Sequence, residues 1–101
     1  MTAFATSVDR LINLVGHWEQ GRWWSRKGEA TRGDLMYALV QRLADLAAEA
    51  EHQPRRVVPR EHDMVLPDQL RVLADDLLAA NPPPPLLDAA TKAVDDLRST
   101  L

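Results

Sequence analysis

"TRGDLMYALVQRLADLAAEAE", residues 31–51, is the stretch on which the fold turns. Met36, Leu39, Val40, Leu43, Leu46, Ala47 and Ala50 recur at three- and four-residue intervals, which puts them on one stripe of a helix. Thr31 followed by Asp34 resembles a capping box, with aspartate in place of the usual glutamate, and predicts a helix over 32–51. At about 1.5 Å per residue such a helix runs roughly 30 Å, the span of a small domain. The same segment carries a second row: Tyr37, Gln41, Ala44 and Ala48 share a face about 130° from the centre of the stripe. Small residues there admit a close neighbour. That neighbour is either a symmetry mate or partner, or else the chain's own first helix or its 52–66 segment.

Downstream, "HQPRRVVPREHDMVL", residues 52–66, breaks the helical pattern. Pro54 and Pro59 exclude a helix interior, and the segment is long for a connection. Val57 and Val58 suit a short extended piece lying on the helices. A third helix is expected from near Pro67, with Leu70, Leu73, Ala74 and Leu77 on its buried face and Asn81 before Pro82 at its end. "PPPP", residues 82–85, reads as a stiff polyproline spacer. A last helix over 86–100 follows, with Leu87, Ala90, Val94, Leu97 and Leu101 at near-heptad spacing.

Upstream, Phe4, Val8, Leu11, Ile12 and Val15 predict a first helix over 3–20. Thr6 with Asp9 fits a capping box, Thr2 is an alternative cap, and Gly21 is a natural left-handed stop. The expectation is therefore all-α: a single domain over 1–101, built as a small four-helix bundle with a long irregular loop between the second and third helices. Leucine and alanine dominate the apolar residues, and β-branched residues never alternate over a strand-length window.

Without cysteine there is neither a disulfide framework nor a thiolate site. No apolar run reaches the length of a membrane span, and "MTAFATSVDRL" lacks the basic start and apolar core of a signal peptide. A cytoplasmic protein with no membrane contact is expected. Ten arginines against two lysines, with abundant alanine, fit a bacterial chain from a high-GC genome. The net charge of −3 is unevenly placed, since residues 1–66 balance to zero and residues 67–101 carry all of it.

Candidate chemistry is thin. Asp75–Asp76 and Asp95–Asp96 suggest a two-metal carboxylate site, but each pair stands roughly 130° either side of its helix's apolar stripe, pointing away from the core. His17, His52 and His62 lack a paired metal-ligand spacing. Ser7, Ser25 and Ser99 lie in no nucleophile motif, and no glycine-rich phosphate loop exists. "RGD" at 32–34 falls inside a helix cap rather than on an adhesion loop. No enzyme activity, metal or cofactor is expected, and no family is assigned.

"GHWEQGRWWSRKG", residues 16–28, is the remaining feature, holding Trp18, Trp23 and Trp24 among Arg22, Arg26 and Lys27. Trp18 lies about 70° from the centre of the first helix's stripe and belongs at the core margin. Trp23 and Trp24 fall on the connection beyond Gly21. Even if helical they stand about 100° apart, so both cannot face the core, and Trp24 is the chief candidate for an outward contact. Tryptophan and arginine are the residue types most enriched at binding hot spots.

The expected function is a non-enzymatic protein-interaction or regulatory module, forming a homodimer or meeting another protein. Its candidate contact residues are Trp18, Arg22, Trp23, Trp24, Arg26, Tyr37, Gln41, Ala44 and Ala48. The alternative is nucleic-acid binding through the two arginine-rich connections, by Arg22, Arg26, Lys27, Arg32, Arg55, Arg56 and Arg60. A second alternative is a small-ligand site in the helical bundle, roofed by the tryptophans.

Overall fold

The computed structural model describes residues 2–101 and is mostly helical. Five helices, α1 (Ala3–Val15), α2 (Gln20–Trp24), α3 (Arg32–Ala50), α4 (Leu66–Ala79) and α5 (Pro84–Thr100), are joined by a two-strand hairpin, β1 (Arg26–Lys27) and β2 (Ala30–Thr31), and a 3-10 turn, Asp63–Val65.

α3 forms as its pattern dictates. The Thr31 hydroxyl accepts from the Asp34 N–H at 3.0 Å, and the Asp34 carboxylate accepts from the Thr31 N–H at 3.1 Å. This reciprocal cap satisfies donors that otherwise have no partner, and such caps stabilise a helix by about 0.5–2 kcal/mol. Met36, Leu39, Val40, Leu43, Leu46 and Ala47 are buried along the stripe. At the far end His52 adopts a left-handed backbone (φ 55°), its N–H donating to Glu49 O and the Gln53 N–H to Ala48 O. That is a Schellman stop with histidine where glycine is usual.

The 52–66 connection then runs back along α3. Gln53 is bonded at Ala48, Arg56 and Val58 at Gln41, Val58 again at Tyr37, Arg60 at Asp34, and Asp63 lies against Gly33. Length explains the segment. The nineteen residues of α3 rise about 28 Å, and the nine residues 53–61 at about 3.1 Å each cover the same distance in an extended chain. Pro54 and Pro59 hold this strap extended. Because it returns the chain to the start of α3, α4 sets off in the same direction as α3, and Leu73 and Asp76 reach the level of Ala47 and Glu51.

α5 runs the opposite way, its Pro85 and Leu86 beside Leu46 and Glu49 near the end of α3. α1 packs mainly on α5 and also on α4, where Arg71 and Asp9 form an ion pair at 2.8 Å. Phe4, Val8, Leu11 and Val15 of α1, the α3 stripe, Leu66, Leu70, Ala74 and Leu77 of α4, and Ala90 and Val94 of α5 make one core.

Two boundaries differ from expectation. α1 starts at Ala3, as its pattern predicts, with the alternative cap Thr2, whose hydroxyl accepts the Ala5 N–H, but it stops at Val15 rather than near residue 20. The Gly16 N–H closes the last turn on Ile12 O at 2.7 Å, and the chain then turns before α2. Gly21 lies inside α2 and stops nothing. The break serves the tryptophans: in a continuous helix Trp18 and Trp23 would stand about 140° apart, whereas here they meet edge to face with centroids 4.9 Å apart. Lastly, only Pro82 and Pro83 act as a spacer. Pro84 and Pro85 form the first turn of α5, where the missing N–H groups have no intrahelical partner anyway.

Candidate protein-interaction surface

The three tryptophans divide sharply. Trp23 is 1% exposed and takes part in the core, so it is no contact residue. Trp18 is half-buried on Trp23, with the Arg22 guanidinium 5.0 Å above its ring. Trp24, the last residue of α2, is 66% exposed.

Its mount is stiff. Trp23 anchors one side. On the other, the Ser25 hydroxyl donates to Arg22 O and accepts from Arg32 Nη1 at 2.7 Å. Arg32 also donates to Arg26 O at 3.3 Å, and Arg26 donates to Glu29 O at 2.6 Å. The hairpin itself turns at Gly28 (φ 72°) and Glu29, pairing Lys27 with Ala30 and Arg26 with Thr31. A positive φ at the first turn residue alone is the two-residue hairpin geometry that asks for glycine there. Trp24 is thus exposed at the end of α2 and is followed in the chain by the exposed cations Arg26 and Lys27, while the Arg22 guanidinium lies over Trp18 instead. The hairpin was missed at the sequence level, though "KGEA" carries its signal in the Gly-x turn.

The second row of α3 is occupied by the strap. The Tyr37 hydroxyl donates to Val58 O, and Gln41 both accepts from the Val58 N–H at 2.8 Å and donates to Arg56 O at 2.9 Å. The face that suggested a second helix holds a segment of the same chain. Ala44 and Ala48, farther along, border an open hollow of about 430 Å³ with Arg56, Leu73 and Asp76.

Asp63 is the buried acid of the structure and went unremarked in the sequence. Its carboxylate accepts from Gln20 Nε2 at 3.2 Å and Arg60 Nη2 at 3.1 Å. Arg60 also reaches Asp34 at 3.2 Å and stacks 4.8 Å over the Tyr37 ring. A Cβ on Gly33 would lie 2.7–2.9 Å from the Asp63 carboxyl atoms, so any larger residue there displaces that carboxylate from α3. The "RGD" tripeptide is thus closed off, its glycine buried and its aspartate tied into the cap. The Thr31 N–H, together with Arg60, holds the Asp34 carboxyl below its ordinary value of 3.8. This cluster staples α2, the strap and α3 together.

The seven cationic residues of the nucleic-acid alternative are distributed over α2, the hairpin, the start of α3 and the strap. Arg22 stacks over Trp18, Arg26 donates to Glu29 O, Lys27 is exposed on the hairpin, Arg32 turns inward to Ser25, and Arg60 lies between two carboxylates. Arg55 and Arg56 sit on the strap, Arg56 bonded through its carbonyl to Gln41 midway along α3. His17 and His52 are exposed, while His62 Nδ1 accepts the Met64 N–H at the 3-10 turn. Asp75, Asp76 and Asp96 are exposed, but Asp95 is half-buried, which departs from the outward placement expected for both pairs. Among the described residues no group of three potential metal ligands converges, and no helix is long and apolar enough to cross a membrane.

One apolar groove lies open beside the strap. Val58, Val65, Val72 and Leu73 line a hollow of about 310 Å³ together with Glu61, Asp68 and Gln69. Val72 is 57% exposed there. Compared with protein families, curated proteins and solved structures, the chain matches none of them.

Proposed function

We propose that this chain is a non-catalytic protein-interaction module that self-associates as a homodimer, built on a four-helix bundle whose second and third long helices are linked by the extended strap. The observation that carries the reading is Trp24, an indole 66% exposed on a mount fixed from both sides. Covering an exposed indole surface of about 165 Å² yields about 4 kcal/mol at roughly 25 cal/mol per Å², before ordering costs. The rigid mount keeps those ordering costs low, which is what gives a hot spot its strength. The exposed cations Arg26 and Lys27, which follow it in the chain, supply cationic contacts, which set the rate and orientation of encounter more than affinity. The buried carboxylate of Asp63 is engaged in holding the fold, through Gln20 and Arg60, which supports a non-catalytic role.

Sedimentation equilibrium of the wild type and of Trp24→Ala tests the reading. The expected result is a concentration-dependent dimer that the substitution weakens while the helical circular dichroism stays the same. A dimer unaffected by Trp24→Ala refutes the role given to this surface, and a monomer at all concentrations refutes self-association.

A further inference from the structure

The molecule carries two exposed features whose chemistries complement each other. One is a knob, the exposed Trp24 indole, followed in the chain by the exposed cations Arg26 and Lys27. The other is the groove of about 310 Å³, lined by Val58, Val65, Val72 and Leu73 together with Gln69 and the acids Glu61 and Asp68. An apolar knob next to two cations fits a mainly apolar hollow that carries two carboxylates, in both polarity and sign. The hollow lies at the small end of the roughly 300–1,000 Å³ range of binding clefts, which suits one large side chain rather than a helix.

Resting on the self-association reading above, we infer that the groove is the receptor for Trp24 of a second copy of this chain, and that the exchange is reciprocal. Position supports closure. The 3-10 turn Asp63–Val65 contacts α2 on one side, through the Gln20–Asp63 hydrogen bond, and contributes Val65 to the groove on the other. Knob and groove thus flank one short element, and a two-fold axis near it gives each copy's knob to the other's groove. Contacts made twice around a two-fold axis close into a dimer, where a one-way contact between distant patches would propagate into a filament. The two cations and two carboxylates make association weaken as salt rises.

The test compares wild type, Trp24→Ala and the groove variant Val72→Glu/Asp68→Lys by sedimentation equilibrium, with circular dichroism and urea titration as folding controls. All three positions are exposed, and the loss of Asp68 from the first turn of α4 is expected to lower stability by at most about 1 kcal/mol, which the urea titration measures. The wild type is expected to dimerise and each variant alone to weaken the dimer at least about 100-fold, since both reciprocal contacts are lost. An equimolar mixture of the two variants keeps one intact knob and one intact groove. It is expected to form a heterodimer tighter than either variant's homodimer, and raised salt is expected to weaken the wild-type dimer. Loss of the dimer in Trp24→Ala with full retention in the groove variant overturns the groove assignment and leaves self-association standing. A mixture no tighter than its components overturns the reciprocal pairing. A wild-type monomer, whatever other protein its knob or groove then binds, overturns both.

Discussion

Gly33→Ala is the most demanding test of how the strap is fastened. In an ordinary first helical turn this change is favourable, since alanine is better than glycine by about 1 kcal/mol in a helix. Here the new methyl would lie 2.7 Å from Asp63 Oδ2, 2.8 Å from Cγ and 2.9 Å from Oδ1. To regain ordinary separation the carboxylate has to retreat by about 0.7 Å. Its bonds to Gln20 at 3.2 Å and Arg60 at 3.1 Å already lie toward the long end of the hydrogen-bond range, so that displacement strains them unless both partners follow. Overpacking costs of about 1–3 kcal/mol, together with a strained charged hydrogen bond, exceed the helical gain. A net loss of about 1–2 kcal/mol follows, or roughly 4–16 °C in Tm for a domain of this size. Urea titration followed by tryptophan fluorescence measures it, because Trp23 is core and reports unfolding directly. The decisive comparison is the same substitution in an Asp63→Gly background, where the obstructing carboxylate is gone. There Gly33→Ala is expected to be neutral or stabilising by about 0.5–1 kcal/mol. Equal effects in both backgrounds would refute the staple.

Trp23→Ala is expected to cost about 3–5 kcal/mol as a core deletion, while Trp24→Ala stays within about 0.5 kcal/mol in the monomer; thermal denaturation separates them. Gln41→Ala removes both side-chain bonds to the strap, so hydrogen exchange at the Val58 amide is expected to accelerate well before global unfolding. An unchanged Val58 protection factor would show that the strap is held by other means. Asp34, whose carboxyl lies below 3.8 in the folded chain, contributes stability that is complete above the unfolded value and is lost as pH falls through the folded one. The stability gap between wild type and Asp34→Asn is thus expected to be widest above about pH 5 and to shrink below about pH 4; a gap constant across that range contradicts the assignment.

The elements readable in the sequence are those set by local chemistry. The α3 stripe and its Thr31–Asp34 cap act within four residues of one another, and the helical angle between Trp23 and Trp24 fixes that one must face out. What escaped reading depends on pairs distant in the chain. Nothing near Gln41 says that its amide will serve the backbone of Val58, and nothing near Gly33 says that Asp63 will lie on it. The end of α1 was misplaced for a similar reason: Gly16 and Gly21 are both plausible stops, and the contact between Trp18 and Trp23 decides between them. The strap shows the same limit. Its length was legible as an oddity, and only the direction of α4 explains it.

That shared direction has an electrostatic consequence. Side-by-side helices that run the same way align their macrodipoles, gathering two half-positive N-terminal ends at one pole of the molecule. Asp34 lies in the first turn of α3, Asp68 in that of α4, and the Asp63 carboxylate rests on Gly33 between them. Three carboxylates thus offset the field that the returning strap creates, and the Arg60 guanidinium bridges two of them. The strap makes its own polarity problem by reversing the chain, and the aspartate at its end is part of the remedy.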